Sequence, residues 1–264
     1  MKSIILCIAL FGVLALTKPQ GPPEPDMIVE LFRHGARGPL GIYDNSWPPA
    51  EFGMLTPVGL RQQYILGKVL SEKYPDLTGS TYNYSNIYLI TDTTPRCVQS
   101  AGAQLYGMYL GKGPALPNDY PPELAVPPFK DPRVNSIADS LPDSEALPYN
   151  YVPGIIDIVD QTNAFIFQGD LSTYCPNQNI WQAINGNDSL IQEAFQVFGE
   201  TIANVNKLLP ADLQLTTMLE ISSFGDTLLV DLYDNRTLPA GITDPQLITN
   251  VTWAFTWFTY HCDR

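Results

Sequence analysis

The sequence predicts an α/β fold, a mostly parallel sheet flanked by helices, with an α-helical layer filling the C-terminal half of its 264 residues. Three observations predict it. Two short apolar runs, 26–32 and 87–91, are each followed by a helical pattern, the strand–helix alternation of a parallel sheet. A third short run, 155–159, follows a proline-crowded stretch that reads as loops. Beyond residue 179 the texture changes to longer apolar stretches with helical spacing.

Each element follows from local chemistry. Residues 18–25 are proline-rich and extended. The run 26–32 is short and apolar, as a buried strand is. It leads into Arg33-His34-Gly35-Ala36-Arg37-Gly38-Pro39, whose glycines and proline specify a loop that continues through Trp47-Pro48-Pro49 to residue 54. Thr56 suits an N-cap and Pro57 the first helical position. Val58, Leu60, Tyr64, Ile65, Val69 and Leu70 then mark the apolar stripe of a helix reaching Tyr74. Residues 87–91 predict a second buried strand. Residues 95–110 predict a helix with Val98, Ala101, Leu105, Met108 and Tyr109 on one side. Loops and short extended pieces follow over 114–153, then a possible third strand at 155–159. A helix over 189–209 opens at Asp188 or Ser189, and 213–233 and 245–259 are further apolar stretches of the helical layer.

Composition narrows the function. Apolar residues make up 45% and charged residues 16%, which is globular and not disordered. With 27 acidic against 14 basic residues, the net charge of −13 argues against nucleic acid or an anionic membrane as the main partner. A few clustered arginines can still form a local anion site. At the N-terminus Lys2 precedes an uncharged run over 4–16, shorter than the ~20 residues that span a bilayer. Small residues close it, so residues 1–17 read as a secretory signal peptide. Four sequons, at Asn83, Asn187, Asn235 and Asn250, suit an exported glycoprotein. Cys7 would leave with the signal. Cys97, Cys175 and Cys262 then remain, an odd number whose pairing stays open. Two histidines in the whole chain, and no suggestive cysteine spacing, disfavour a metal site.

The chemistry concentrates at residues 33–39. A strand would deliver this loop to the C-terminal edge of a sheet, where open α/β folds bind ligands. Two arginines flank one histidine within five residues, and guanidinium is a planar, permanently charged donor suited to phosphate oxygens. Gly35 lets the backbone approach a ligand closely. A histidine beside bound phosphate can attack phosphorus and so split hydrolysis into two steps. The arginines favour neutral imidazole, the nucleophilic form, and stabilise charge on the equatorial oxygens of the transition state.

The segment 31–39 resembles the signature of the histidine acid phosphatases, the second branch of the histidine phosphatase superfamily. Other segments agree in order. Residues 55–62 resemble that family's first helix. Thr91-Asp92, followed by Arg96 and Ser100-Ala101, resembles its second arginine motif, with one more residue than usual between Asp92 and Arg96 and aligned on Arg96 because Ser100-Ala101 follow it at the expected distance. Tyr174-Cys175-Pro176 resembles the start of the family's helical domain, and Asp226-Thr227-Leu228-Leu229 with 235–239 a segment late in that domain. After the signal peptide at 1–17, the resemblance implies an α/β phosphatase core over 18–170 and an inserted α-helical domain over 171–264. By position it makes His34 the phosphoryl-accepting nucleophile and Arg33, Arg37 and Arg96 the phosphate ligands.

The family's His-Asp pair, whose histidine binds phosphate and whose aspartate protonates the leaving oxygen, has no match. His261 is followed by Cys262, and Gly186-Asn187-Asp188-Ser189 carries asparagine in place of histidine and precedes the 226–239 segment. The expectation is a chain that stops about one strand short of that motif, with the last strand or strands of the sheet missing. The implied function is acid phosphatase chemistry on small phosphomonoesters, without metal or organic cofactor, in a secreted or lysosomal protein. The alternative is an impaired phosphatase or fragment that binds phosphate or phosphorylated ligands without efficient turnover. A mutase or sugar-phosphate phosphatase of the other branch fits the signal and sequons poorly.

Overall fold

The computed structural model describes residues 25–40, 47–119, 121–128, 131–142, 144–160 and 189–262. The expected signal peptide, Asn187 and the core–helical junction at 170 lie outside these. The chain forms two units, Met1–Leu31 and Phe32–Arg264.

In the first unit, the described residues 25–31 have no strand assignment, and Met27, Val29 and Leu31 are 73%, 81% and 88% exposed. This corrects the buried strand expected over 26–32. An apolar run expresses strand tendency, but only ladder hydrogen bonds with a neighbour make it a strand, and no sequence pattern guarantees that neighbour.

The second unit is α/β. Among the described residues its sheet has two parallel strands, β1 (Ile90–Asp92) and β2 (Asp157–Val159), paired Ile90 with Asp157 through Asp92 with Val159. Both are shorter than the runs that predicted them. Helix α1 (Pro57–Lys73) begins where Thr56 and Pro57 placed it: the Thr56 hydroxyl accepts from the Gly59 N–H at 3.1 Å. A short turn of helix, α2 (Pro75–Thr78), follows, and α3 (Pro95–Tyr109) comes directly after β1. Helix α4 (Pro132–Ala138) lies in the proline-rich middle.

Helices α1 and α3 pack together largely off the α1 stripe that periodicity indicated, of which Tyr64 meets the Tyr106 ring of α3 at 5.6 Å. The buried face of α1 is Gly59, Gln63, Gly67 and Ser71, while Val58, Leu60, Ile65 and Val69 are 41–52% exposed. A Cβ on Gly67 would strike the Gln104 carbonyl, and one on Gly107 the Tyr64 carbonyl. The two backbones therefore meet at small residues, and hydrophobic periodicity, which counts side-chain area, misses a contact made by its absence.

The C-terminal layer is helical, as expected: α5 (Ser189–Asn206), α6 (Met218–Tyr233) and α7 (Pro245–Cys262). Their shared core includes Phe198, Val205, Phe224, Leu228, Val251 and Ala254. A reciprocal cap opens α6: Glu220 N–H donates to the Thr217 hydroxyl at 3.2 Å, and Thr217 N–H to the Glu220 carboxylate at 2.8 Å. Among the described residues no helix is long and apolar enough to cross a membrane.

Candidate active site

The loop 33–39 is moored through many of its backbone groups. The Ala36 carbonyl accepts from the Thr56 N–H at 2.9 Å and from the Thr56 hydroxyl at 3.1 Å, so the residue that caps α1 also holds the loop. Gly38 N–H donates to the Met54 carbonyl at 2.9 Å, and Gly53 N–H to the Pro39 carbonyl at 3.0 Å. From α1, Gln62 accepts from Ala36 N–H at 2.8 Å and Gln63 donates to the Arg33 carbonyl at 2.9 Å. From α3, the Ser100 hydroxyl accepts from Gly35 N–H at 3.1 Å and donates to the Arg96 carbonyl at 2.7 Å. A Cβ at Gly35 would run into the Gly59 carbonyl, so the loop lies against the first turn of α1 only because it has none. Sequence reasoning gave Gln62, Gln63 and Ser100 no role. Gln63 and Ser100 are buried polar residues on two helices and Gln62 is exposed, and in the sequence all three are indistinguishable from solvated positions until the helices are oriented.

His34 is half-buried, with Nδ1 2.8 Å from the Gly35 carbonyl oxygen. A carbonyl only accepts, so Nδ1 carries the proton and Nε2 keeps its lone pair. Burial pushes the ring's pKa below 6.5, and the charges of Arg33, Arg37 and Arg96 push in the same direction, against the opposing Gly35 hydrogen bond. The structure thus brings all four sequence-singled residues into one electrostatic neighbourhood. A depressed pKa means that the neutral ring persists at a lower pH than in free histidine. With two histidines in the chain, NMR titration resolves both rings, and His34→Asn assigns one. The His34 midpoint should fall below 6.5; a midpoint at or above that value contradicts the arrangement.

The three arginines differ. Arg33 is exposed on the loop, and Arg96 sits in the first turn of α3 with one long contact, 3.4 Å, from Nη1 to the Gly53 carbonyl. Its buried Nε has no hydrogen-bond partner among the described residues. Arg37 is 7% exposed and already committed. Its Nη1 and Nη2 donate to the two carboxylate oxygens of Asp226 on α6, each at 2.9 Å, and Nη1 also donates to the Gly38 carbonyl at 2.9 Å. Only its Nε is left without a partner among the described residues. Nothing in the sequence pointed to this pair.

Asp92 works locally, accepting from Thr94 N–H at 2.9 Å and from the Thr94 hydroxyl at 3.0 Å at the start of α3. Cys97 carries a free thiol. Burial, then the nearby Asp92 carboxylate, raise it to about 11, so it stays protonated and unreactive. The side chains of Cys175, His261 and Cys262 lie outside the described residues, as do Asn187 and Asp188. Asn83 and Asn235 are exposed and Asn250 is half-buried.

Comparison with known proteins bears on this site. The family described as the histidine phosphatase superfamily, branch 2, matches residues 26–224. Lysosomal acid phosphatase of Xenopus laevis is 27% identical over 164 residues, covering 60% of this chain and 36% of that protein. Prostatic acid phosphatase of Mus musculus is 24% identical over 257 residues, covering 89% of this chain and 65% of that protein. The chain thus spans about a third to two thirds of these relatives' lengths. The crystal structure of the Klebsiella sp ASR1 phytase shares the fold, with TM-score 0.55 and 15% identity over 86% of this chain and 57% of that one.

Proposed function

The chain belongs to branch 2 of the histidine phosphatase superfamily, and on that premise we propose that it hydrolyses phosphate monoesters through a phosphohistidine on His34, with phosphate clamped by Arg33, Arg37 and Arg96. The observation that carries this reading is the state of His34: a protonated Nδ1 fixed on the Gly35 carbonyl, a lone pair on Nε2, and three guanidinium charges acting on the ring. Nε2 attacks phosphorus, and the N–P bond forms as the ester P–O bond breaks. The departing oxygen takes the electron pair and, for alkyl esters, a proton from acidic solvent. Gly35 stabilises the charged, phosphorylated ring. Water then attacks phosphorus, the N–P bond breaks, its electrons return to Nε2, and inorganic phosphate leaves. Histidine and arginine supply this chemistry without a metal or organic cofactor. The substrates are small phosphomonoesters, and the setting is the secretory route, secreted or lysosomal, with sugar chains at Asn83, Asn187, Asn235 and Asn250.

A second reading, phosphate binding without efficient turnover, is favoured by one fact: neither His34 nor His261 is followed by aspartate. A positioned general acid is worth ~10²–10⁴-fold, so without one the leaving group's own acidity governs the rate. The test is phosphate release by the 264-residue chain at acid pH from aryl and alkyl phosphate esters. Release is expected, with aryl esters ahead of alkyl by ~10²-fold or more. Thermal protection by phosphate with no release from any ester would establish the second reading instead.

A further inference from the structure

We propose that Asp226 sets the phosphate affinity of the site: it occupies the fork of Arg37, so that a bound phosphate is gripped by Arg33 and Arg96 while Arg37 offers only its Nε–H and its field. This inference rests on the phosphatase reading and refines its clamp: Arg37 takes part through its Nε–H and its charge, while its fork stays on Asp226. Guanidinium forks bind carboxylate and phosphate by the same two parallel hydrogen bonds, so the two anions compete for one fork. Both bonds to Asp226 are 2.9 Å, the two side chains are only 6% and 18% exposed, and Gly38 takes a further donor of the same guanidinium. The pair joins positions 189 apart, tying the loop that carries His34 to helix α6 of the helical layer. The same helix also holds Trp47: its indole N–H donates to buried Asp231, and the Arg236 guanidinium, just past the end of α6, stacks 3.6 Å above the Trp47 ring. With the loop held there, Arg37 has no slack to leave its carboxylate for an incoming anion. The consequence is a site that holds phosphate less tightly than three free arginines would, which favours release of the product.

Two measurements test this, both with inorganic phosphate as the probe. In Asp226→Asn the fork loses its carboxylate and becomes available, so the phosphate dissociation constant should fall by ~5-fold or more while turnover drops as the loop loses its anchor. A purely structural defect would lower the active fraction without tightening binding. Adding Arg37→Met to Asp226→Asn should abolish the tightening, and Asp226→Glu, which keeps the carboxylate, should restore weaker binding. An unchanged or higher dissociation constant in folded Asp226→Asn overturns the inference. The second measurement needs no folded variant. The Arg37 Nη resonances of the wild-type protein should remain those of a carboxylate-paired guanidinium when phosphate saturates the site. Their displacement by phosphate overturns the inference. Failure of the wild-type protein to bind phosphate at all removes the phosphatase reading itself, an outcome distinct from both.

Discussion

Replacing His34 with alanine should lower turnover of an aryl phosphate by ~10⁴-fold or more, the scale seen when a covalent nucleophile is deleted. The size follows from the site. Among the described residues His34 is the one nucleophilic side chain whose ring state is set up for attack, with Nδ1 fixed on Gly35 and the pKa held below 6.5 by burial and three arginines. Cys97, the thiol next to Arg96, is held protonated at about 11. Phosphate binding should survive the substitution, because the loop is moored through its backbone by Gln62, Gln63, Thr56 and Ser100 and not through the imidazole. The check is a pair of measurements on one preparation: phosphate release, and thermal protection by phosphate. If both are lost together, His34 serves binding and not attack.

Arg37→Ala should cost stability on the scale of a broken buried ion pair, about 3–5 kcal/mol. The alanine removes two 2.9 Å hydrogen bonds from Asp226, a carboxylate only 18% exposed in the intact pair, and leaves it without its counter-charge. Exposure of the carboxylate edge places the cost toward the low end of that range. Replacing both partners by apolar residues, Arg37→Met with Asp226→Leu, should recover most of it, since an apolar pair of similar volume carries no desolvation penalty. Urea unfolding midpoints of the two proteins give the comparison. Equal, small losses in both would mean that the pair contributes little to holding loop and helix together.

The parts legible in the sequence were those written in neighbouring residues. The Thr56–Pro57 helix start, the loop at 33–39, the two helices following apolar runs and the helical C-terminal half all follow from local capping, turn chemistry and spacing. The strand expected at 26–32 did not form, because alternation and apolarity describe a side-chain preference and say nothing about which backbone will pair. The buried face of α1 was misplaced for a related reason: Gly59, Gly67 and Ser71 bury by being small, which hydrophobic spacing ignores. In the site, where the charges of all three arginines act on the His34 ring, Arg33, His34 and Arg37 were legible as a cluster within five residues, and Arg96 was added by resemblance to the family's second arginine motif. The grip on Arg37 by Asp226 was not, since it joins residues 189 apart through the packing of α6 against the loop. The same holds for Trp47, which looked like a loop aromatic beside two prolines and is instead 4% exposed between Asp231 and Arg236.

The central claim is that phosphate passes through His34. Rapid alkaline quenching of the protein during turnover of an aryl phosphate, followed by mass spectrometry of its peptides, tests it most directly. The expected result is one phosphoryl group on His34, stable to alkali and lost in acid, and absent from His34→Ala. Phosphate release with no phosphoryl group on His34, or with one on another residue, would contradict it.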